Sequence, residues 1–290
     1  MNKRIALGTV QFGMRYGIAN QYGQVTNTEA RKILEFAHAQ GVETLDTATA
    51  YGESEKVLGA LGVAKWELIS KLPTKVPDHL DITQWVHNSV KDSLQRLGVS
   101  SLYGLLLHDS QQLLGNNGEE LYRSLVALKD QQLVNKVGIS IYSPDELDLV
   151  LDKYDVDIVQ APFNVFDQRL VRTGWLTRLH NLGIEVHTRS AFLQGLLLMD
   201  MGNRPEKFNK WSPRWQSWSE WLVAQGLSPL NACLGFVLSH SEIKRVVVGV
   251  DSLTHLQEIM AGALETSVNI PKRFISDDLD LINPSRWNNL

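Results

Sequence analysis

The sequence predicts a (β/α)8 barrel, on three observations. Eight short apolar runs recur along the chain, and each is followed by an amphipathic, helix-like stretch. The runs lack clean polar/apolar alternation, as expected of parallel strands covered on both faces. No G-x-G-x-x-G follows the first run, which makes a doubly wound open sheet the weaker alternative.

The apolar runs are Ile5–Thr9, Val42–Asp46, Leu68–Lys71, Leu102–His108, Lys136–Ser140, Val156–Gln160, Ile184–Arg189 and Arg245–Gly249. Between the first two, Thr26-Asn27-Thr28-Glu29 reads as a capping box. In such a box the Thr side chain and the Glu satisfy each other's free backbone donors. Ala30, Ile33, Leu34 and Ala37 then share a face, and Gly41 ends the helix. Asp81 caps a stretch carrying Ile82, Trp85, Val86, Val90, Leu94 and Leu97, stopped by Gly98. Ser143-Pro144-Asp145-Glu146 is a second capping box, with Pro where its missing N–H costs nothing. Ser228-Pro229 and Ser252 open the last two helices.

With 28 Lys+Arg against 32 Asp+Glu, the net charge of −4 is small and mixed along the chain, so no basic stripe exists to track nucleic-acid phosphates. Hydrophobic residues at 43 % argue against disorder. The lone Cys233 rules out an internal disulfide framework and suits a buried apolar filler. Gly195–Met199 and Val246–Val250, the longest apolar runs, fall far short of the roughly 20 residues that span a bilayer. The N-terminal apolar stretch is too short for a signal peptide. These features lead us to expect a soluble cytoplasmic protein, one barrel domain over residues 1–290 with a C-terminal tail from about residue 270. It is expected to be a monomer or weak homo-oligomer with no nucleic-acid or membrane partner.

Barrel chemistry sits where the strands end, and reactive side chains are found there. Asp46 closes the second run, with Tyr51 in the loop behind it. Lys71, His108, Ser140 and Gln160 close the next four. The stretch Asp46-Thr47-Ala48-Thr49-Ala50-Tyr51-Gly52, then Ser70-Lys71, then Leu107-His108, resembles the aldo-keto reductases. The likeness extends from Leu7-Gly8-Thr9 to the region of Gly249. It implies a barrel that binds a nicotinamide cofactor and reversibly reduces aldehydes or ketones, with a catalytic tetrad on Asp46, Tyr51, Lys71 and His108.

Those residue types suit the chemistry. Hydride addition to a carbonyl carbon builds negative charge on oxygen, which needs a proton and a polarising donor. Tyr51 is the proton donor in this reading, and a neutral His108 donates to the carbonyl oxygen. A free Tyr titrates near 10, and lowering it by roughly 3 units takes about 4 kcal/mol. A cation about 4 Å away supplies that much at an effective dielectric of about 20. Lys71, held by Asp46, is therefore expected to acidify Tyr51.

For the cofactor, the resemblance implies Thr9, Ser140 and Gln160 near the nicotinamide end. The usual Asn after that Ser is Ile141 here, so Asn164 is a candidate replacement. Arg189-Ser190-Ala191-Phe192-Leu193-Gln194-Gly195 is similar to an element whose Tyr stacks on nicotinamide. Here Arg189 takes that place, its planar guanidinium able to stack, with Ser190, Leu193 and Gly195 along the pyrophosphate. At the eighth strand, Gly249 and His255 stand where a Lys and an Arg commonly clamp a 2′-phosphate. Ser252 and Glu258 complete the set, and Asp251 would repel a phosphate. The family implies NADP(H), and these residues leave NAD(H) open.

Gln11, Phe12, Tyr16 and Asn20 are substrate-pocket candidates. Trp211, Trp215, Trp218 and Trp221, spaced at helical intervals, are expected to pack on the barrel, with a place at the substrate mouth as the second reading. The polar stretch Asp200–Lys210 reads as a lid over the cofactor. With the first strand so near the N-terminus, the barrel floor is expected to be covered by the tail around Phe274–Trp287 or by a partner chain. The favoured function is NAD(P)H-dependent reduction of a small carbonyl compound, a sugar or sugar derivative included. Alternatives are a non-catalytic nicotinamide-binding regulatory subunit and a metal-dependent barrel hydrolase. Lys71 on the same rim argues against a metal, and none is expected.

Overall fold

A computed structural model describes residues 2–74, 81–263 and 268–290. Eight parallel strands close into a barrel in chain order: β1 Ile5–Gly8, β2 Thr44–Asp46, β3 Glu67–Leu72, β4 Leu102–Leu107, β5 Val134–Ser140, β6 Ile158–Pro162, β7 Glu185–Arg189 and β8 Ile243–Gly249. The strands coincide with the eight apolar runs to within a few residues at each end. Register carries the rim residues together: Gly8 pairs with Asp46 and with Gly249, and Ser140 pairs with Gln160.

The main core lies between the strands and the surrounding helices, where Leu7, Leu45, Leu68, Leu105 and Ile139 meet Ile33, Leu58, Val90 and Leu125. A small separate cluster of Ile69, Leu106 and Ile158 fills the barrel interior. Among the described residues, no single helix is long and apolar enough to cross a membrane.

The caps hold in part. Asp81 accepts from Gln84 N–H, Ser228 from Asn231 N–H and Ser252 from His255 N–H. Thr26 accepts from Glu29 N–H, as the capping box requires. The Glu29 carboxylate does not return the bond. It accepts instead from Leu253 N–H at 2.8 Å, the first residue of the helix Leu253–Gly262. A carboxylate meets an unpaired amide at a helix N-terminus on favourable terms, and the neighbouring helix offers one. In the second box only the Glu arm forms: Glu146 accepts from Ser143 N–H, while the Ser143 hydroxyl turns to Asp145.

The floor is closed otherwise than expected. Phe274 and Trp287 pack against the barrel flank: Phe274 lies edge-on to Trp218 at 5.3 Å and Trp287 edge-on to Phe208 at 4.9 Å. The bottom is plugged by polar side chains from the N-terminal ends of the strands. Arg245 donates to Thr44 and Glu67, and Glu185 accepts from Tyr103, Lys136 and the His187 ring when it donates. Arg4 fastens the N-terminus by donating to the carbonyls of Leu238, His240 and Ile243.

All four tryptophans of the Trp211–Trp221 series are buried, so they pack on the barrel and leave the mouth to others. Trp215 stacks on Phe166 and Trp218 on Trp221. The Asp200–Lys210 stretch forms two short 3-10 turns, anchored by the fully buried Phe208 and by Lys207 donating to the Trp287 carbonyl.

Two stability predictions follow from this packing. Trp218→Ala should cost about 3–5 kcal/mol in urea unfolding, because a fully buried indole leaves a cavity. Glu185 works against burial, which pushes its carboxyl up; hydrogen bonds from His187, Lys136 and Tyr103 hold it down to about 2. A depressed carboxyl stabilises the fold above its unfolded value and loses that contribution as pH falls through the folded one. Stability should therefore drop between about pH 4.5 and 2, by on the order of 3 kcal/mol from this group. Glu185→Gln should flatten that limb in a pH series of unfolding curves.

Candidate active site

At the C-terminal rim, β2 ends on Asp46 and β3 carries Lys71, and the two side chains meet inside the barrel mouth. Lys71 Nζ donates to Asp46 Oδ1 at 2.6 Å and to the Thr47 carbonyl at 3.0 Å. The other carboxylate oxygen accepts from Gln160 Nε2 at 2.7 Å. Both members of the pair are buried. Burial pulls the Lys71 ammonium below its ordinary range, and Asp46 pulls it back up.

Tyr51 sits above this pair on a loop fixed by close backbone packing. A Cβ on Gly13 would fall 1.8 Å from the Tyr51 carbonyl oxygen, and one on Gly52 would fall 2.5 Å from the Gly13 carbonyl oxygen. Gly52 also holds φ at +56°, a left-handed conformation that suits glycine. Ser54 N–H donates to the Tyr51 carbonyl, and the Ser54 and Thr9 hydroxyls bond to each other, tying this loop to the end of β1.

Lys71 Nζ lies 5.2 Å from the centre of the Tyr51 ring, and His108 stands edge-on to it at 5.9 Å. The four residues picked from the sequence are thus brought together. Their electrostatics differ from the expectation. The Tyr51 phenol is held above its ordinary value, by burial first and by the Asp46 carboxylate second; Arg189 works in the opposite direction. Lys71 is paired with Asp46 at 2.6 Å, and burial leads the upward shift of the phenol. His108 is pushed down to about 4, by burial first and then by Lys71 and Arg189, so its imidazole is neutral at pH 7. Its Nδ1 is buried without a hydrogen-bond partner, and Asp109 bonds to Gln111 N–H instead.

A cavity of about 440 Å³, in the range of small-molecule sites, opens beside Tyr51 and Asp46. Thr9, Gln11 and Tyr16 line it after β1, Gln160 from β6, Arg189 from the end of β7, and Ser190 and Gly195 after β7. Gly249, His255 and Glu258 line it after β8. Phe12 does not: it is fully buried in the main core, because the helical turn Val10–Gly13 points it inward. Leu193 is likewise a core side chain, and neither Ser140 nor Ser252 lines the cavity. Ser252 is committed to capping its helix. Asn164 is no substitute amide, since it donates to the Ser190 carbonyl and accepts from Phe166 and Asp167 N–H.

The loop after β7 holds Ser190, Leu193 and Gln194 at positive φ, three non-glycine residues in a costly conformation. It is pinned to the loop after β1: Gln194 donates to the Tyr16 hydroxyl, and Ala19 N–H donates to the Gln194 carbonyl. Ala19, Leu198, Met199 and Leu230 also line the cavity and were not singled out from the sequence. They carry no chemical signature, and only the closed fold brings them to the mouth.

Residues 4–270 match the model of the Aldo/keto reductase family. The chain is similar to the L-galactose dehydrogenase of Arabidopsis thaliana, 26 % identical over 302 aligned residues covering 98 % of this chain and 93 % of that protein. It is also similar to the NADH-specific methylglyoxal reductase of Escherichia coli (strain K12), 28 % identical over 187 residues, 57 % of this chain and 56 % of that one. Among solved structures, the aldo-keto reductase AKR11C1 from Bacillus halodurans in its holo form aligns with a TM-score of 0.74 at 19 % identity, covering 92 % of this chain and 88 % of that one. The glycerol dehydrogenase AKR11B4 from Gluconobacter oxydans aligns at 0.71 and 20 %, covering 97 % and 92 %. At such identities the structural matches speak for the fold.

Removing one partner of a buried ion pair strands the other charge, at a cost of about 3–5 kcal/mol. Lys71→Met should lose stability in that range. The double variant Asp46→Asn with Lys71→Met should recover a large part of it, as read in urea unfolding.

Proposed function

The chain belongs to the aldo/keto reductase family, and from that premise we propose that it reduces an aldehyde or ketone to the alcohol, with a nicotinamide dinucleotide as hydride donor and Tyr51 as proton donor. The observation that carries this reading is that Tyr51 and Asp46 line one cavity, with Lys71 paired to Asp46 and a neutral His108 packed against the Tyr51 ring.

The cavity residues fit such a cofactor. Gln11 Oε1 is buried beside Gly249 without a hydrogen-bond partner, an acceptor left for a ligand donor. Gly8 and Gly249 add no side chain of their own to the wall between β1 and β8, and the Gln11 amide packs over Gly249. When bound, a dihydronicotinamide supplies the hydride. The remaining work falls to the chain. His108, neutral, donates an N–H to the carbonyl oxygen and orients it. As that oxygen gains charge it becomes a stronger base than a phenolate, so a neutral Tyr51 is a competent acid. Lys71, buried behind the ring, then stabilises the phenolate, and Asp46 and Thr47 hold the ammonium in place.

The helix at the β8 end supports NADH over NADPH. Leu253 N–H, a natural phosphate donor at a helix N-terminus, is taken by Glu29, and His255 N–H is taken by Ser252. Asp251 and Glu258 line the cavity beside them. A 2′-phosphate would meet the Asp251, Glu258 and Glu29 carboxylates there, with Lys32 already paired to Glu29 at 3.3 Å. This reading departs from the NADP(H) that the family resemblance implied.

Tyr51→Phe should lower turnover at least about a thousandfold while the dissociation constant for NADH, read by tryptophan fluorescence, changes less than about twofold. The reduction kcat/KM should be level from about pH 6 to 9 and fall only toward pH 4, as His108 takes up a proton and loses the neutral form. Alcohol oxidation should instead rise with pH. NADH should bind at least about tenfold more tightly than NADPH, and Glu29→Gln with Asp251→Asn should narrow that gap.

A further inference from the structure

Arg189 is set apart by standing in the cavity without a counter-ion among the described residues. It stands at the end of β7, half-buried, and lines the cavity that holds Tyr51. Arg96, Arg169, Arg172 and Arg245 all pair with carboxylates. Arg189 makes no ion pair among the described residues. Its guanidinium lies 4.8 Å over the Tyr142 ring, donates to the Ile141 carbonyl at 3.0 Å, and reaches the Ser190 hydroxyl only at 3.5 Å. The remaining N–H donors have no acceptor among the described residues. Lysine and arginine are otherwise absent from the described lining of this cavity; of its acids, Asp46 is paired with Lys71, and Asp251 and Glu258 belong to the β8 end. Its charge is felt at Tyr51 and at His108, so it acts within the reacting region.

A cation held in a partly apolar cavity is costly without an anion, and a planar guanidinium offers paired donors that match a carboxylate. The stacking on Tyr142 and the bond to Ile141 hold that fork in place, which lowers the cost of ordering it on binding. We propose that Arg189 makes this a reductase of carboxylate-bearing carbonyl compounds, such as 2-oxo acids or aldehydes carrying an acid group. The carboxylate binds to Arg189 while the carbonyl oxygen meets Tyr51 and His108. No bond to the carboxylate changes: hydride adds to the carbonyl carbon, the Tyr51 proton to its oxygen, and the dinucleotide leaves oxidised.

This inference rests on the reductase reading, and matched substrate pairs separate the two. Phenylglyoxylate is compared with its methyl ester, and 4-carboxybenzaldehyde with methyl 4-formylbenzoate, in NADH-dependent reduction by the full chain. In at least one pair the acid should show a kcat/KM at least about tenfold above its ester, carried by KM. Arg189→Gln should bring the acid down to the ester, and Arg189→Lys should restore part of the preference. The dissociation constant of NADH is measured in each variant. Esters reduced as well as acids in both pairs would overturn the inference while leaving the reductase reading standing. So would an Arg189→Gln loss that falls equally on acid and ester and tracks weakened NADH binding, since the guanidinium would then serve the dinucleotide. Reduction of none of the four compounds would remove the reductase reading and this inference with it.

Discussion

A lysine ammonium and an aspartate carboxylate, buried together at the barrel mouth, are the contact on which the site depends. Neither charge is tolerable there alone. Together with the Thr47 carbonyl and the Gln160 amide they form a satisfied polar cluster, which fixes the ends of β2, β3 and β6 relative to one another. The pair sets the electrical character of Tyr51 as well. Burial first and the Asp46 carboxylate second keep the proton on the phenol, and the ammonium is held where a phenolate would need it. The low dielectric that makes the pair obligatory also gives it catalytic weight.

Position is controlled by backbone as much as by charge. Gly13 and Gly52 let the loops after β1 and β2 touch, with no room for a side chain between them. That contact sets the height of Tyr51 over the mouth. On the opposite arc, the strained loop after β7 is tied to the loop after β1 through Gln194, Tyr16 and Ala19. The cavity is thus walled by loops whose shapes depend on each other, on a rigid barrel whose floor is locked by its own charged side chains.

The strands and the four clustered residues were legible because they leave local marks: apolar runs of strand length, and reactive side chains at their ends. Asp46, Tyr51, Lys71 and His108 meet as their places at strand ends imply. What was not legible depends on distant partners. Glu29 looked like half of a capping box, yet it serves a helix more than two hundred residues away. Phe12 sits beside Gln11 in the chain, but one faces the core and the other the cavity, a matter of a single helical turn. The tail, one of two expected covers for the floor beside a partner chain, lies on the flank against an aromatic surface. The sign of the Tyr51 shift follows first from its burial, which no spacing reveals.

The most direct measurement is a single turnover. Protein loaded with NADH is mixed with a carbonyl compound in water and in D2O, and the loss of dihydronicotinamide absorbance is followed. The account predicts a burst equal to the protein concentration, slower in D2O because the phenolic proton moves with the hydride. A burst of the same rate in both solvents, or no oxidation of the dinucleotide across a broad set of aldehydes and ketones, would contradict it.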